Sequence, residues 1–189
     1  MKELKDRILA DGKHMGGGIL NVNSFLNHQV DCRLMVRIAQ ELASRFSSDD
    51  VDKILTAEIS GIAPALEVGV ALGLPVVFAR KIWSVTMPPD SYERMVPSHT
   101  KGTMVQLIVA REFLAPDDRV LIIDDFLASG RTIDALASLV KDSGADLVGI
   151  GAVIEKAFEG GRERLAPLNV PIESVVIIES MEDDRIVFR

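Results

Sequence analysis

The sequence predicts an α/β fold, a mostly parallel twisted sheet flanked by helices. Short apolar runs rich in β-branched residues recur along the chain and are typical of buried strands. Helical patterns alternate with them, which favours parallel strands covered on both faces. Glycines or a proline stand where these elements start or stop. The predicted strands are Lys53–Ala57, Pro75–Ala79, Met104–Ala110, Arg119–Ile123, Leu147–Ile154 and Ser174–Ile178, and the predicted helices are Cys32–Phe46, Ala63–Leu72 and Thr132–Ser143.

Length and composition indicate a single domain spanning all 189 residues. Hydrophobic residues make up 48% of the chain and charged residues 26%, which excludes wholesale disorder. The formal net charge of −7 argues against broad nucleic-acid binding, and Cys32, the only cysteine, excludes an intrachain disulfide. No stretch approaches the ~20 apolar residues that span a bilayer. The charged N-terminus is not a signal peptide, so we expect a cytoplasmic protein with no membrane or nucleic-acid partner.

Two segments interrupt the alternation of strands and helices. The segment from about 81 to 103 is rich in proline and polar residues and is too long for a routine connection, so we expect a flexible lid. Residues Met15–Val30 contain three consecutive glycines and little periodicity. We expect this region to belong to a small hood formed by the N- and C-terminal segments, about 1–30 and 155–189.

The most informative stretch is VLIIDDFLASGRT, residues 120–132. An apolar strand leads into Asp124 and Asp125, a turn of small residues follows, and Thr132 opens a helix. A helix N-terminus offers unpaired amides and a partial positive charge to a phosphate, and small residues allow close approach. The two acids can accept hydrogen bonds from sugar hydroxyls. Each element alone could merely end a strand or cap a helix, but together they predict a sugar-phosphate site.

This stretch resembles the signature of the type I phosphoribosyltransferases, in which apolar residues, two acids and two further apolar residues precede a short loop. The likeness covers most of the chain, through NVNSFLNHQVD, EISGIAPA, VVFARK and VIEKAF, and is to purine-using members. It implies that the chain transfers a phosphoribosyl group from phosphoribosyl pyrophosphate to a purine in salvage. It also implies a type I phosphoribosyltransferase-like core, Mg²⁺ held mainly through the donor, and a homodimer.

The resemblance implies that three loops bind the donor. Asp124 and Asp125 would be catalytic, because they hold the ribose hydroxyls while positive charge develops on the sugar. The EISG loop matches the pyrophosphate loop in place, although a capped strand-to-helix turn explains it equally well. A basic pair at the end of the next strand matches a phosphate-contacting pair by position. The implied donor contacts are Ser60, Gly61, Arg80, Lys81, Ala128, Ser129, Gly130, Arg131 and Thr132.

The resemblance also implies which residues contact the base, which it indicates to be xanthine. Lys156 offers only hydrogen-bond donors, which suit carbonyl oxygens and disfavour adenine, whereas Asn27 can both donate and accept. Phe158 can stack on a purine, although core packing is the commoner role of a lone aromatic residue. The resemblance implies xanthine contacts at Leu20, Asn27 and Lys156, and the stacking argument adds Phe158 as a fourth candidate.

Several alternatives stay open at this level. Ala128 stands where hypoxanthine-guanine enzymes of this family carry an acid, which argues against that subclass but not against adenine enzymes. A non-catalytic regulator with the same fold is a further alternative, although the acidic balance of the chain opposes DNA binding. A dinucleotide-binding dehydrogenase is set aside, because no G-x-G-x-x-G follows the first strand. No protein ligand to a metal is predicted, and the sequence does not choose among the lid residues Tyr92, Arg94, Ser98 and Lys101 as ligand contacts.

Overall fold

A computed structural model describes residues 1–46, 50–97, 103–182 and 185–189. Ten strands and five α-helices are assigned within these ranges. Short turns of 3₁₀ or π geometry link some of them, including a π-helical turn at Asn23–Asn27. The helices are α1 (Lys2–Asp11), α2 (Cys32–Ala43), α3 (Ile62–Leu72), α4 (Arg131–Ser143) and α5 (Gly161–Leu165). The strands are β1 (Lys13–His14), β2 (Leu20–Asn21), β3 (Lys53–Ala57), β4 (Val76–Ala79), β5 (Ser91–Pro97), β6 (Met104–Ala110), β7 (Arg119–Leu127), β8 (Asp146–Lys156), β9 (Ile172–Glu182) and β10 (Arg185–Phe188).

The centre of the molecule is a six-stranded sheet in the order β10-β9-β8-β7-β3-β4. All neighbouring strands run parallel except β10, which pairs antiparallel with β9 at one edge. The predicted α/β class with a mostly parallel sheet is therefore confirmed. Because the strands are parallel, the carboxyl ends of β3, β4, β7 and β8 lie along one edge of the sheet, where such sheets bind ligands.

Helices cover both faces of the sheet. The side chains of β7 show this, because they point alternately into two core clusters. Leu121 and Ile123 belong to a core cluster shared with α1, α2 and α3, whereas Val120 and Ile122 belong to a second cluster shared with α4. Successive side chains of a strand point to opposite faces, so a strand buried on both sides reads as a continuous apolar run. The side chain of Asp31 accepts a hydrogen bond from the Leu34 amide at 3.1 Å and so caps α2.

The structure corrects the place of the run at Met104–Ala110. This run was predicted to join the parallel sheet, but as β6 it pairs antiparallel with β5 in a separate two-stranded sheet. A backbone bridge between Arg80 and Ile108 connects this pair to the end of β4. The predicted place of this strand was wrong because an apolar run indicates that a strand is buried but does not indicate which strand it pairs with. Strand β5 lies inside the predicted lid of residues 81–103, so part of that segment is regular structure.

The N- and C-terminal segments, predicted to form a small hood, also contribute to the main body of the fold. The C-terminal segment extends the main sheet through β9 and β10, while α1 packs Leu4 and Ile8 into the first core cluster. Strand β7 continues beyond the predicted end at Ile123 to Leu127, so the two acids lie in the strand and not after it. No helix in the described ranges combines the length and apolar character that a membrane crossing requires.

Candidate active site

Two adjoining cavities open at the carboxyl edge of the sheet. The first, of about 250 Å³, lies between the loop after β3 and the β5–β6 pair and is lined also by Lys81. The second, of about 150 Å³, is enclosed by Phe126 and the turn that leads into α4. Asp124, Asp125 and Thr132 line both cavities. The fold therefore places the predicted acids, the loop after β3 and the turn before α4 in one continuous site.

The acid pair at the end of β7 is electrostatically unusual. Asp124 is buried, with 6% of its surface exposed, and its Oδ1 accepts a hydrogen bond from the Asp125 amide at 3.0 Å. Burial raises the pKa of Asp124 well above its usual range, and the neighbouring Asp125 charge raises it further. The positive charge of Lys81 acts in the opposite direction. The ionised form of Asp124 is therefore unfavourable in this structure, and a positive charge placed beside it would make ionisation easier.

Asn27 joins the N-terminal segment to this acid pair. Its Nδ2 donates a hydrogen bond to Oδ2 of Asp125 at 2.9 Å. Its Oδ1 is buried and has no hydrogen-bond partner within the described part of the chain. A buried carbonyl oxygen without a donor is costly, so this atom is free to accept a hydrogen bond. The structure thus gives Asn27 a contact with the acid pair that sequence reasoning did not foresee.

The loop after β3 approaches the strand ends so closely that a side chain at Gly61 is excluded. A Cβ there would lie 2.3 Å from Thr56 Oγ1 and 2.6 Å from Asp124 Oδ1. The side chain of Glu58 fixes the loop to the next strand end by accepting a hydrogen bond from the Lys81 amide at 2.7 Å. The predicted pair Ser60 and Gly61 therefore lies beside the acids, in the lining of the first cavity.

The turn Ala128–Thr132, here called the phosphate loop, leads directly into α4. Gly130 has a φ of 74°, a left-handed conformation that favours glycine, and stands immediately before the helix. The helix begins at Arg131, one residue earlier than predicted, and Arg131 is exposed. All five residues of the loop, Arg131 included, line the second cavity together with Ile133 in the first turn of the helix. This is the geometry in which free amides and a helix dipole attract an anion.

Two of the four residues expected to contact the base, Lys156 and Phe158, lie at the end of β8 and in the turn that follows it. Lys156 is buried, and its Nζ donates to the Gly18 carbonyl at 3.0 Å and pairs with Glu159 at 2.6 Å. The ammonium also lies 5.7 Å from the centre of the Phe126 ring. Phe158 is 41% exposed and packs closely on Gly18, so it is not a core residue.

Not every predicted site residue joins this region. Leu20 is buried within the first core cluster. Arg80 lines a different cavity of about 410 Å³ beside β4 and β6, while its neighbour Lys81 faces the site. Tyr92 stacks under the Arg111 guanidinium at 4.2 Å. Of the remaining lid candidates, Arg94 pairs with Asp142 of α4, and Ser98 and Lys101 lie outside the described residues.

Sequence reasoning missed three residues at or beside the site. Phe126 lines the second cavity with the acids, and its ring lies near the Lys156 ammonium. It is one of the apolar residues of the signature, so the sequence indicated only a packing role for it. Glu159 follows Lys156 by three residues, a spacing that could have suggested the ion pair. Thr56, whose buried hydroxyl has no hydrogen-bond partner in the described ranges, carries no recognisable sequence signal. Glu58 belongs to the predicted EISG loop, but the sequence did not indicate its hydrogen bond with the Lys81 amide.

The described residues contain no group of three or more His, Cys, Asp or Glu side chains arranged to hold a metal ion. The acid pair supplies only two carboxylates, and one of them is already bonded to Asn27. Magnesium prefers an octahedron of oxygens and readily keeps non-protein ligands. The donor set therefore fits an ion bound mainly through a ligand's phosphates, and does not form a protein cage.

The parallel sheet, the acid pair, the phosphate loop and the loop at Gly61 together define the class of type I phosphoribosyltransferases. A model described as the phosphoribosyl transferase domain matches residues 26–184, and the chain belongs to that family.

Similar proteins agree with this assignment over the full length of the chain. The chain is 46% identical to a xanthine phosphoribosyltransferase of Brevibacillus brevis, covering 100% of this chain and 96% of the relative. It is 45% identical to a xanthine phosphoribosyltransferase of Leuconostoc mesenteroides, covering 100% of both. A solved adenine phosphoribosyltransferase of Thermoanaerobacter pseudethanolicus superimposes with a TM-score of 0.68 at 26% identity, covering 78% of this chain and 82% of that chain.

Proposed function

We propose that this protein transfers the 5-phosphoribosyl group of phosphoribosyl pyrophosphate to xanthine, giving xanthosine 5′-monophosphate and pyrophosphate in purine salvage. The observation that carries the proposal is the full-length similarity to curated xanthine phosphoribosyltransferases at 46% and 45% identity. The geometry supports it, because a phosphate loop, an acid pair and a buried ammonium follow one another along one edge of the sheet.

The acid pair would act on the sugar. In the reaction the bond from the anomeric carbon to pyrophosphate breaks, the bond from that carbon to a base nitrogen forms, and the base loses one proton. The sugar carries positive charge between these events. Asp124 and Asp125 would accept hydrogen bonds from the ribose hydroxyls and stabilise that charge, and the buried Asp124 would do so most strongly because its surroundings screen poorly.

The loops would orient the donor and hold its charges. The phosphate loop would bind the 5-phosphate through its amides and the Thr132 hydroxyl, while Ser60, Gly61 and Lys81 would contact the pyrophosphate. Arg80 is less well supported, since it lines the neighbouring cavity. When bound with the donor, Mg²⁺ would neutralise charge on the leaving pyrophosphate.

Base selection would depend on Lys156, Asn27 and the Phe158 ring. An ammonium has three donors; the Gly18 carbonyl and Glu159 use two of them, which leaves one for a carbonyl oxygen of xanthine. The unpartnered Oδ1 of Asn27 would accept from a base N–H. Leu20 is buried in the core, so any contribution from it would be apolar packing at the margin of the site.

Replacing Lys156 with methionine should lower kcat/KM for xanthine by about tenfold, the cost of one hydrogen bond from a charged donor. Activity with adenine, whose exocyclic amine is a poor partner for an ammonium, should not fall. Steady-state rates with both purines at saturating donor measure the effect. An equal loss with xanthine and adenine would contradict the assigned role.

The single variant removes a cation that Glu159 faces at 2.6 Å, so part of its effect could come from an uncompensated carboxylate. The double variant Lys156→Met with Glu159→Gln restores the charge balance. We expect the double variant to recover thermal stability without recovering xanthine activity, which separates substrate binding from structural support.

The proposed reaction is tested by mixing the protein with xanthine, phosphoribosyl pyrophosphate and Mg²⁺ and detecting the nucleotide. Comparing kcat/KM for xanthine, guanine, hypoxanthine and adenine separates the sibling activities. No turnover with any purine would contradict the enzyme assignment, and a gel shift with purine-operon DNA at moderate salt would then support a regulator.

Two further expectations belong to this proposal. We infer a homodimer, supported by apolar side chains that are exposed beside β4 and β6, among them Phe78 at 41% and Phe113 at 52%. Light scattering coupled to size-exclusion chromatography tests it.

A cytoplasmic location stays a prediction that cell fractionation tests.

A further inference from the structure

The phosphate loop lies directly against the segment Gly160–Leu165, with backbone touching backbone. A Cβ on Gly161 would lie 2.1 Å from the Ala128 carbonyl oxygen and 2.9 Å from the Gly130 nitrogen. A Cβ on Gly130 would in turn lie 2.9 Å from the Gly161 carbonyl oxygen. Neither position accepts a side chain unless one backbone moves, so the two segments are coupled mechanically.

Arg164 adds a directed contact to this packing. Its Nε donates a hydrogen bond to the Ser129 carbonyl oxygen at 2.9 Å. The Ser129–Gly130 peptide is trans, since the only cis peptide of the described chain is Glu58–Ile59. In a planar trans peptide the carbonyl and the following N–H point in opposite directions. By holding the Ser129 carbonyl, Arg164 therefore turns the Gly130 N–H away from itself.

A buried network holds Arg164's own segment in place. Glu155, 1% exposed, accepts two hydrogen bonds from Arg162, at 2.8 and 2.6 Å, and one from Ser174 at 2.6 Å. Arg162 also donates to the Ile172 carbonyl at 2.8 Å. A bidentate arginine–carboxylate pair fixes orientation as well as distance. The segment behind the phosphate loop is thus anchored to β8 and β9 of the main sheet.

We propose that Arg164 is a positioning residue for the phosphate loop, acting through the Ser129 carbonyl from a support built by Gly161, Arg162 and Glu155. It presets the loop so that the Gly130 amide is available to the 5-phosphate of the donor before the donor arrives. This inference rests on the proposed function and deepens it. Preorganised donors bind an anion better because they lose little conformational freedom on binding.

The test measures the affinity for ribose 5-phosphate, which needs the loop but no base, by titration calorimetry. Arg164→Ala should weaken this affinity about fivefold, the effect of one hydrogen bond at a partly solvated site. Arg164→Lys should restore part of it, because an ammonium can also donate to a carbonyl. The control Arg33→Ala removes the same charge from an exposed position of α2 and should leave the affinity unchanged.

Turnover gives a second readout. In Arg164→Ala the KM for the donor should rise while kcat and the KM for the base stay near their wild-type values, and Tm should not change. If Arg164→Ala and Arg33→Ala bind ribose 5-phosphate equally well, the inference is wrong. If the wild-type protein itself does not bind ribose 5-phosphate, the proposed function fails, and the inference with it.

Gly161→Ala tests whether the close backbone packing of Gly161 against the phosphate loop also positions that loop. The residue has no left-handed φ, so alanine is acceptable to its own backbone and the clash with Ala128 is the cause of any effect. We expect the affinity for ribose 5-phosphate to fall by more than Arg164→Ala lowers it. Wild-type affinity in Gly161→Ala would show that the loop is not positioned from this side.

Discussion

Asp124→Asn should lower kcat with xanthine by about 100-fold, the size of effect expected when one preorganised electrostatic contact to a transition state is lost. The same change should raise Tm. Asp124 is buried and next to Asp125, so its pKa lies well above the usual carboxyl range. The amide removes an unfavourable buried charge and keeps an oxygen that can accept from the Asp125 N–H, the contact now made at 3.0 Å.

The pH dependence of this stabilisation has a definite sign. A folded-state pKa above the unfolded value means that the folded protein holds the proton more tightly, so the contribution of Asp124 to stability is greatest at low pH and is lost as pH rises. The Tm difference between Asp124→Asn and wild type should therefore vanish below about pH 4 and grow as pH rises through the raised pKa.

Two controls limit the interpretation of this variant. Asp117→Asn makes the same chemical change at an exposed position before β7 and should alter neither kcat nor the pH profile of Tm. Calorimetry with the donor should show a much smaller loss in affinity than in kcat, because the acid acts mainly as charge develops. A variant that loses stability together with activity would contradict the electrostatic explanation.

Gly61→Ala should lower kcat/KM for the donor by at least about 100-fold. The new methyl group would meet Thr56 Oγ1 at 2.3 Å and Asp124 Oδ1 at 2.6 Å, so either the loop after β3 or the acid must move. A displacement of about 1 Å at a reacting centre is enough for a loss of this size. Inhibition by pyrophosphate should weaken in parallel, since the loop proposed to contact pyrophosphate would have shifted.

Gly69→Ala is the matched control. A Cβ at Gly69 is also crowded, lying 2.6 Å from a Val76 methyl group and 3.0 Å from the Leu74 carbonyl oxygen, but it lies in α3 and lines neither site cavity. We expect Gly69→Ala to lower Tm while its folded fraction keeps the wild-type kcat/KM. Equal losses of activity in the two variants would show that crowding acts through stability and not through the site.

The sequence predicted the sheet class and the acid pair because both depend on local patterns. Strands buried on two faces read as apolar runs, and the signature at residues 120–132 combines several features within one short stretch. The antiparallel pairing of β6 with β5 could not be predicted, because burial alone does not specify a partner strand.

The contacts that complete the site could not be predicted either, because they join residues far apart in the chain. Nothing near Asn27 indicates that its amide reaches Asp125, and nothing near Lys156 indicates that it bonds to the Gly18 carbonyl. Arg80 and Lys81 follow Ala79, the last residue of β4, and line different cavities, a separation that no pattern in the sequence indicates.

The hydrogen bonds of Asn27 and Lys156 also have a consequence for how the protein folds. They close loops of 98 and 138 residues, far longer than the contacts within any helix or hairpin of the chain. Contacts between distant residues carry the largest loop-closure entropy and slow folding. During synthesis the hydrogen bond from Lys156 to the Gly18 carbonyl cannot form until β8 has been made, so this contact is completed only after 138 further residues have followed Gly18.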